Sequence, residues 1–306
     1  MKANGEIEQA ANGHPAPRPQ VDLHLHTTAS DGRLAPSRLI DQVAGTALKV
    51  VAITDHDTTG GLAEAFAQAA RYPHLRLIPG IELSAESSGS EVHLLGYFID
   101  IHDADFQVRL ARMREWRVDA ARRTVEKLAT LGVHVAWDRV QELANGVVGR
   151  PHVARAMMEA GYIKSIQEAF ERYLGDNGVA RVPREKLTAL DALELVHSLG
   201  GAAVVAHPRT VAEVDRVVAE LAQAGLDGIE VYAEKYMPDQ RAQYHGMARK
   251  HGLLECGGSD YHANGNESEV IPGAPGALGP PLEIPEQLEA RARRRAEGRR
   301  ERKLSL

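Results

Sequence analysis

The stretch KVVAITDHDTTGGLAEAFAQAAR, residues 49–71, decides the fold class. A β-branched apolar run (49–54) passes directly into a polar loop carrying His56 and Asp57, and then into an alanine-rich segment from about Gly61 to Arg71 with helical character. Strand, polar loop and helix in this order are the unit of an α/β protein built on a mostly parallel sheet. Working outward, the unit recurs. Upstream, the apolar run around Val21 to Leu25 precedes a helical stretch over 36–47, and downstream LRLIPGIEL (75–83) and EVHLLGYFI (91–99) are two more strand candidates. After a long interruption the alternation resumes with AAVVAHP (202–208), a helix from about Val211 to Ala224, DGIEVY (227–232), a helix from about Asp239 to Lys250, and LLECGGSD (253–260).

The interruption is helical throughout: one long pattern covers 104–131 and shorter ones cover about 137–145, 151–160, 165–174 and 188–199. The expected organisation is a flexible leader (1–20), a discontinuous α/β body (21–100 and 200–290), an inserted helical subdomain (101–199) placed to cap the body and choose the substrate, and a basic tail (291–306). No internal repeat occurs at a solenoid period.

A chain of 306 residues allows one large domain or two ordinary ones, which excludes a peptide hormone or a small disulfide scaffold. Its 43% hydrophobic and 25% charged residues are globular values. Formal net charge is −6, but eight Arg or Lys face only Glu297 and Glu301 in the tail, so the body is acidic and only its end is basic. That balance disfavours a broad duplex-binding surface. The single Cys256 excludes an internal disulfide and is expected in the core. With no apolar signal segment and no stretch of 18 apolar residues, a cytoplasmic protein with no membrane association and no obligate protein partner is expected.

The chemistry lies in where polar residues fall relative to the strand candidates. His24 and His26 end the first, His56 and Asp57 follow the second, Glu82 ends the third, His207 the fifth, Glu230 the sixth, and Asp260 and His262 the last; His93 lies inside the fourth. Positions i and i+2 on a strand share a face, so His24 and His26 can present two imidazoles to one metal ion, and Asp260 and His262 a carboxylate and an imidazole. Nitrogen and oxygen donors in this number suit Zn, Mn or Fe(II) better than Ca, and nine such donors are enough for three ions. Asp57 and Glu230 are candidates to orient the ligating imidazoles.

The motifs DLHLHTTASDG (22–32), ITDHDTTGG (53–61), PGIELSA (79–85), EVHLLGY (91–97), VVAHPR (204–209) and GSDYH (258–262) form an ordered set. Through them the sequence resembles the PHP family, the polymerase and histidinol phosphatase group of metal-dependent phosphoesterases. With GRPHVARAM (149–157) in the helical region, it is most similar to the nucleoside 3′,5′-bisphosphate phosphatases, some of which also act as 5′-3′ exonucleases on short RNA. The resemblance implies a distorted (β/α)7 barrel with two or three divalent ions in its mouth, Mn first and Fe, Zn or Co as alternatives. Carried onto the matching positions, His24, His26, Glu82 and Asp260 would hold one ion, Glu82, His93 and His207 a second, and Asp31, His56 and His262 a third.

The reaction that follows is attack of metal-bound hydroxide on phosphorus, with Glu82 fixing the separation of two ions and His207 or His262 moving a proton to the leaving oxygen. Arg150, His152, Arg184 and Arg209 are candidates to grip a second phosphate, arginine because its planar fork pairs bidentately with phosphate. The leading expectation is hydrolysis of the 3′-phosphate of nucleoside 3′,5′-bisphosphates, such as 3′,5′-adenosine bisphosphate, to the 5′-monophosphate. The alternative is 5′-3′ exonuclease action on short 5′-phosphorylated RNA or DNA. Histidinol-phosphate hydrolysis and a non-catalytic metal-stabilised module rank below both.

Overall fold

The structure is a computed structural model and describes residues 18–304 except 88, 145, 176, 184, 234, 235 and 266–268. Eight strands form its sheet: β1 (Val21–Leu25), β2 (Val50–Ile53), β3 (Arg76–Ser87), β4 (Ser90–Tyr97), β5 (Leu187–Thr188), β6 (Ala202–Val205), β7 (Gly228–Tyr232) and β8 (Leu254–Gly257). The order is β1-β2-β3-β4-β6-β7-β8, with the two-residue β5 beside the end of β3. β1 to β3 are parallel, and so are β6 to β8. β4 is antiparallel to both its neighbours.

The sheet curls but does not close as the (β/α)7 barrel expected from the resemblance. Its ends meet at an isolated Leu25–Tyr261 bridge, with His26 N donating to Tyr261 O and Asp260 N to His24 O, each at 3.0 Å. The reversal has a local cause. β3 and β4 follow each other two residues apart and pair from Gly80↔Tyr97 to Ser87↔Ser90, an antiparallel ladder that needs no crossover helix. β4 therefore points its carboxyl end away from the polar rim, and His93 enters the site from mid-strand.

Strand alternation separates core from site. On β3 and β4, Ile81, Leu83, Ala85, Val92 and Leu94 pack outward into one apolar cluster, whereas Glu82 and His93 fall on the opposite parity. Outer helices α1 (Pro36–Ala44), α2 (Leu62–Ala69), α7 (Ala189–Ser198), α8 (Val214–Gln223) and α9 (Pro238–His251) complete two clusters on the sheet. Cys256 is buried in a third. The helices α3 (Ala104–Thr130), α4 (Trp137–Ala144), α5 (Arg150–Glu159) and α6 (Ile166–Ala169) build a core of their own around Leu128, Val140, Val153 and Met157. α3 belongs to both: Phe106, Leu110 and Met113 join the sheet cluster, and Ala121, Val125 and Leu128 join the helical one.

The basic tail is tied to the body over its first turns. In α10 (Ile284–Leu304), Ile284, Leu288 and Ala292 recur at helical spacing and enter the Cys256 cluster. Beside them Arg291 donates to Asp227 O at 2.7 Å and Arg295 to Asp227 Oδ1 at 2.9 Å, while Asp227 Oδ2 takes Ala203 N at 2.9 Å and faces His197 Nε2 at 3.2 Å. Burial pushes the Asp227 carboxyl up, but these hydrogen bonds and the arginine charge more than offset it, and the pKa lies below the usual carboxylate value. Such a group contributes stability fully above its unfolded-state pKa of about 4 and loses it as pH falls through the folded value. Arg295→Ala should therefore cost about 1.5 kcal/mol at pH 7. In urea unfolding, that penalty should shrink as pH drops below about 4. A penalty that grows in acid would contradict this role. Among the described residues no helix is long and apolar enough to cross a membrane.

Candidate metal centre

Each donor arrives on a backbone feature that the local sequence explains. His24 and His26 are on one face at the end of β1. The loop that follows is folded by Asp55, whose buried carboxylate accepts from Thr27 N and Thr27 Oγ1 at 2.7 Å and from Ser30 Oγ at 2.6 Å, carrying Asp31 round to the same side. His56, just past β2, bridges to Glu82, which lies in the middle of β3 and not at its end as expected, because the strand runs on to Ser87. His207 and Asp260 take left-handed backbone angles, φ 25° and 54°, where the chain turns off β6 and β8, and Asp57 does the same at 51°. Left-handed non-glycine residues cost free energy and gather at functional sites. At Gly258 a Cβ would lie 2.5 Å from His24 N, so glycine is required for β8 to approach β1.

Glu82, 0% exposed, is the centre of the cluster. Its Oε1 lies 2.7 Å from His93 Nδ1 and 2.9 Å from His207 Nε2, and its Oε2 lies 3.1 Å from His56 Nδ1 and 3.2 Å from both His24 Nε2 and His26 Nε2. Asp260 Oδ1 is 3.6 and 3.5 Å from the same two Nε2 atoms, and Asp31 Oδ1 is 3.3 Å from His262 Nε2. All nine sequence-derived metal candidates thus meet in one place. Donor atoms of His26, Asp31, His56 and His262 lie within 4.8 Å of one another, as do those of His24, His26 and Asp260, and those of His56, Glu82 and His93.

These separations fit metal ions. Donors about 2.1 Å from an ion stand roughly 3.0 Å apart at a right angle and roughly 3.4 Å apart at the tetrahedral angle. Both ring nitrogens of His26 and Nδ1 of His56 are buried with no hydrogen-bond partner, a costly state unless something else coordinates them. Charge points the same way. Burial alone would lower the imidazole pKa values, yet Glu230 and Glu82 hold His24 well above its ordinary value, Asp260 and Glu82 raise His26 to about 10, and Glu82 and Glu91 raise His93 to about 9. Burial dominates at His56, pushing it to about 3. Surrounding imidazoles hold Glu82 well below the carboxylate range against its own burial. The pocket favours positive charge, which divalent ions supply.

A second layer orients these donors. Glu230 accepts at Oε2 from His207 N (2.6 Å) and its Oε1 meets His24 Nδ1 at 2.9 Å, which leaves His24 Nε2 turned toward Glu82. Glu91 meets His93 Nε2 at 3.0 Å, Arg150 at 2.6 Å and Lys186 at 2.8 Å. Asp57 serves a different partner from the imidazole proposed for it: it accepts from Ser84 N at 2.9 Å and from Arg117 Nε at 2.5 Å. Arg117 also donates to Ser84 Oγ, and Arg155 to the Asp31 carbonyl, so α3 and α5 of the helical region are both fastened to the site.

Two clefts open on the cluster. The first, about 180 Å³, is lined by Asp31, His56 and His93 at one end and by Arg117, Arg150, Arg181 and Lys186 at the other. At roughly 30 Å³ per water it has room for a phosphorylated group. The second, about 130 Å³, shares no lining residue with the first and is lined by His207, Asp260, Arg209, Thr210, Tyr236 and Ser259 among others. Of the sequence-derived substrate candidates, Arg150 lines the first and Arg209 the second, and Arg184 lies outside the described residues. His152 is buried in the turn that starts α5, where its Nδ1 accepts from Gly149 N at 3.1 Å and burial lowers it to about 4. Sequence reasoning did not single out Arg117, Arg181, Lys186 or Glu91. Arg117 is one of six arginines on α3, and only the fold distinguishes it.

With this geometry in place, comparison with known proteins adds an independent line. Residues 22–237 match the model of the PHP domain. The chain is 36% identical over 247 residues to the 5′-3′ exoribonuclease Rnm of Salmonella typhimurium, covering 79% of this chain and 84% of that one. It is 34% identical over 253 residues to the 3′,5′-nucleoside bisphosphate phosphatase of Chromobacterium violaceum, covering 80% and 88%. The solved structure of an amidohydrolase from Chromobacterium violaceum, with bound sulfate and no metal, superposes with a TM-score of 0.79 at 32% identity, covering 89% of this chain and 97% of that one.

Proposed function

Because the chain belongs to the PHP-domain family of metal-dependent phosphoesterases, acting on phosphorylated nucleotides, we propose that it is a 5′-3′ exonuclease on short 5′-phosphorylated oligonucleotides, and that nucleoside 3′,5′-bisphosphates are its smallest substrates. This reverses the order in which the sequence ranked the two readings. The observation that carries it is a pair of clefts that reach the donor cluster at different residues, the first at Asp31, His56 and His93 and the second at His207 and Asp260. A bisphosphate needs one cleft and the cluster, whereas an oligonucleotide has a further nucleotide to place beyond the scissile phosphorus. Similarity to the exoribonuclease of Salmonella typhimurium supports the same order.

In this reading the 5′-phosphate sits in the basic cleft, where Arg150 and Lys186, braced by Glu91, and Arg117, braced by Asp57, hold charge in fixed positions. His24, His26, Glu82 and Asp260, then Glu82, His93 and His207, then Asp31, His56 and His262 are the sets assigned to two or three divalent ions, Mn first. When bound, such ions lower the pKa of water and neutralise the phosphoryl oxygens. Glu82 keeps five imidazoles at fixed spacing, and Glu230 fixes the ring of His24. Water adds to phosphorus, the bond from phosphorus to the 3′-oxygen breaks, and the 3′-oxygen takes a proton. With two ions bound, whichever of His207 and His262 belongs to the set that holds no ion is assigned to carry the attacking water's proton to it.

Product analysis of the Mn-reconstituted protein tests this. A 5′-phosphorylated trinucleotide should yield 5′-mononucleotides with a kcat/KM at least equal to that for phosphate release from 3′,5′-adenosine bisphosphate. If the bisphosphate is hydrolysed more than tenfold faster and the trinucleotide survives, the monoesterase is the better description.

A further inference from the structure

The second cleft is lined by two residues whose hydroxyls no described residue satisfies. Tyr236 is 4% exposed and Ser259 8%, both line the cleft, and neither hydroxyl has a hydrogen-bond partner among the described residues. Each is held in place by other contacts. The Tyr236 ring packs edge-on against Tyr244 with centroids 5.1 Å apart, and Ser259 N donates to Asp22 Oδ1 at 3.0 Å where β8 meets β1. Buried hydroxyls without partners cost roughly 1–3 kcal/mol each, so two of them in one cavity mark a place built for a polar occupant. Arg209 lines the same cleft from the short turn Pro208–Thr210 and has no carboxylate partner among the described residues. His207 and Asp260 form the wall shared with the donor cluster.

We propose that this cleft seats the nucleotide on the 3′ side of the scissile bond, with Tyr236 and Ser259 donating to its ribose-phosphate oxygens and Arg209 meeting its phosphate charge. The assignment rests on the exonuclease reading and deepens it. The basic cleft is spoken for by the 5′-terminal nucleotide, and phosphorus is at the cluster. Cleavage of the bond to the 3′-oxygen leaves the phosphoryl group on the downstream nucleotide, so that product occupies whatever cavity adjoins the far side of the metals. The cleft therefore distinguishes an oligonucleotide from a bisphosphate, which has nothing to put there.

The test is the ratio of kcat/KM for a 5′-phosphorylated dinucleotide to that for 3′,5′-adenosine bisphosphate, measured on Mn-reconstituted wild-type protein, Tyr236→Phe and Arg209→Gln. Tyr236→Phe keeps the ring against Tyr244, and Arg209 is exposed, so both proteins should fold. Each substitution should lower the ratio about tenfold, the effect of losing one hydrogen bond to a charged group. A ratio left unchanged, or two rate constants that fall together, overturns the assignment. If the wild-type protein leaves the dinucleotide intact, the exonuclease reading fails by itself. Inhibition of bisphosphate hydrolysis by the dinucleotide then decides the cleft separately. A Ki raised about tenfold in both variants supports it, and a Ki unchanged in both rejects it.

Discussion

Glu82→Gln should abolish turnover, lowering kcat by about 10³-fold or more while the fold survives. The substitution keeps the shape of the side chain and removes its charge, at the one carboxylate that meets His24, His26, His56, His93 and His207 within 3.2 Å. No other described acid reaches all five rings: Glu230 meets that of His24 and Glu91 that of His93, Asp260 is 3.5 Å or more from His24 and His26, and Asp31 is 3.7 Å or more from His26 and His56. An amide also offers a donor where every contact needs an acceptor or a metal-binding oxygen. Metal content measured on the purified variant should fall together with kcat, and circular dichroism should match the wild type. Full metal content with kcat within tenfold of wild type would falsify the central place given to Glu82.

The second large effect is on stability. Arg117→Ala removes one half of a buried pair whose other half, Asp57, is 0% exposed and sits at φ 51°. Removing one partner of such a pair leaves an uncompensated carboxylate and costs about 3–5 kcal/mol, a large share of the roughly 5–15 kcal/mol that holds a folded protein together. The loss has a direction in space as well. Arg117 is the point at which α3 grips β3 through Ser84, so the variant should loosen the helical region from the sheet before either core unfolds. Urea unfolding should show a lower midpoint, and hydrogen exchange should show the earliest opening in α3 near Arg117. The double replacement Arg117→Met with Asp57→Asn should recover much of the stability, because it takes away the stranded charge. Equal midpoints for wild type and Arg117→Ala would show that the pair is not structural.

The donors of the metal centre were legible because each is written into a short local pattern. A strand has a period of two residues, so His24 and His26 must share a face, and a polar residue directly after an apolar strand must stand at the rim. Those two rules reach His24, His26, His56, His207, Asp260 and His262, whereas Glu82 and His93 lie inside strands and, like the loop residue Asp31, were placed by the motif set. The helices between the two halves were legible for the same reason, since periodicity is local, but that α7, expected within the inserted region, packs on the sheet was not.

What the local pattern does not contain is which distant groups share a space. Nothing near Arg117 distinguishes it from the other arginines of α3, and it is chosen by the path of that helix past Asp57. Glu91, which sequence reasoning did not single out, stands beside Arg150 and Lys186 on a strand that pairs antiparallel to β3. The same pairing sets β4 antiparallel within a curled sheet whose ends meet at an isolated bridge, where a distorted (β/α)7 barrel was expected, because a short connection and a crossover both follow an apolar strand and only the pairing shows which one occurred. The second cleft, with its unsatisfied hydroxyls of Tyr236 and Ser259, is likewise a product of packing between β7, α9 and the end of β8. From the sequence alone, then, came the donor atoms and the chemistry they can perform, since these depend on residue type and on spacing of a few positions. Tertiary structure decided which cations line a cleft beside the donors and how many clefts reach them, since those depend on long-range contacts whose geometry no short stretch of chain encodes.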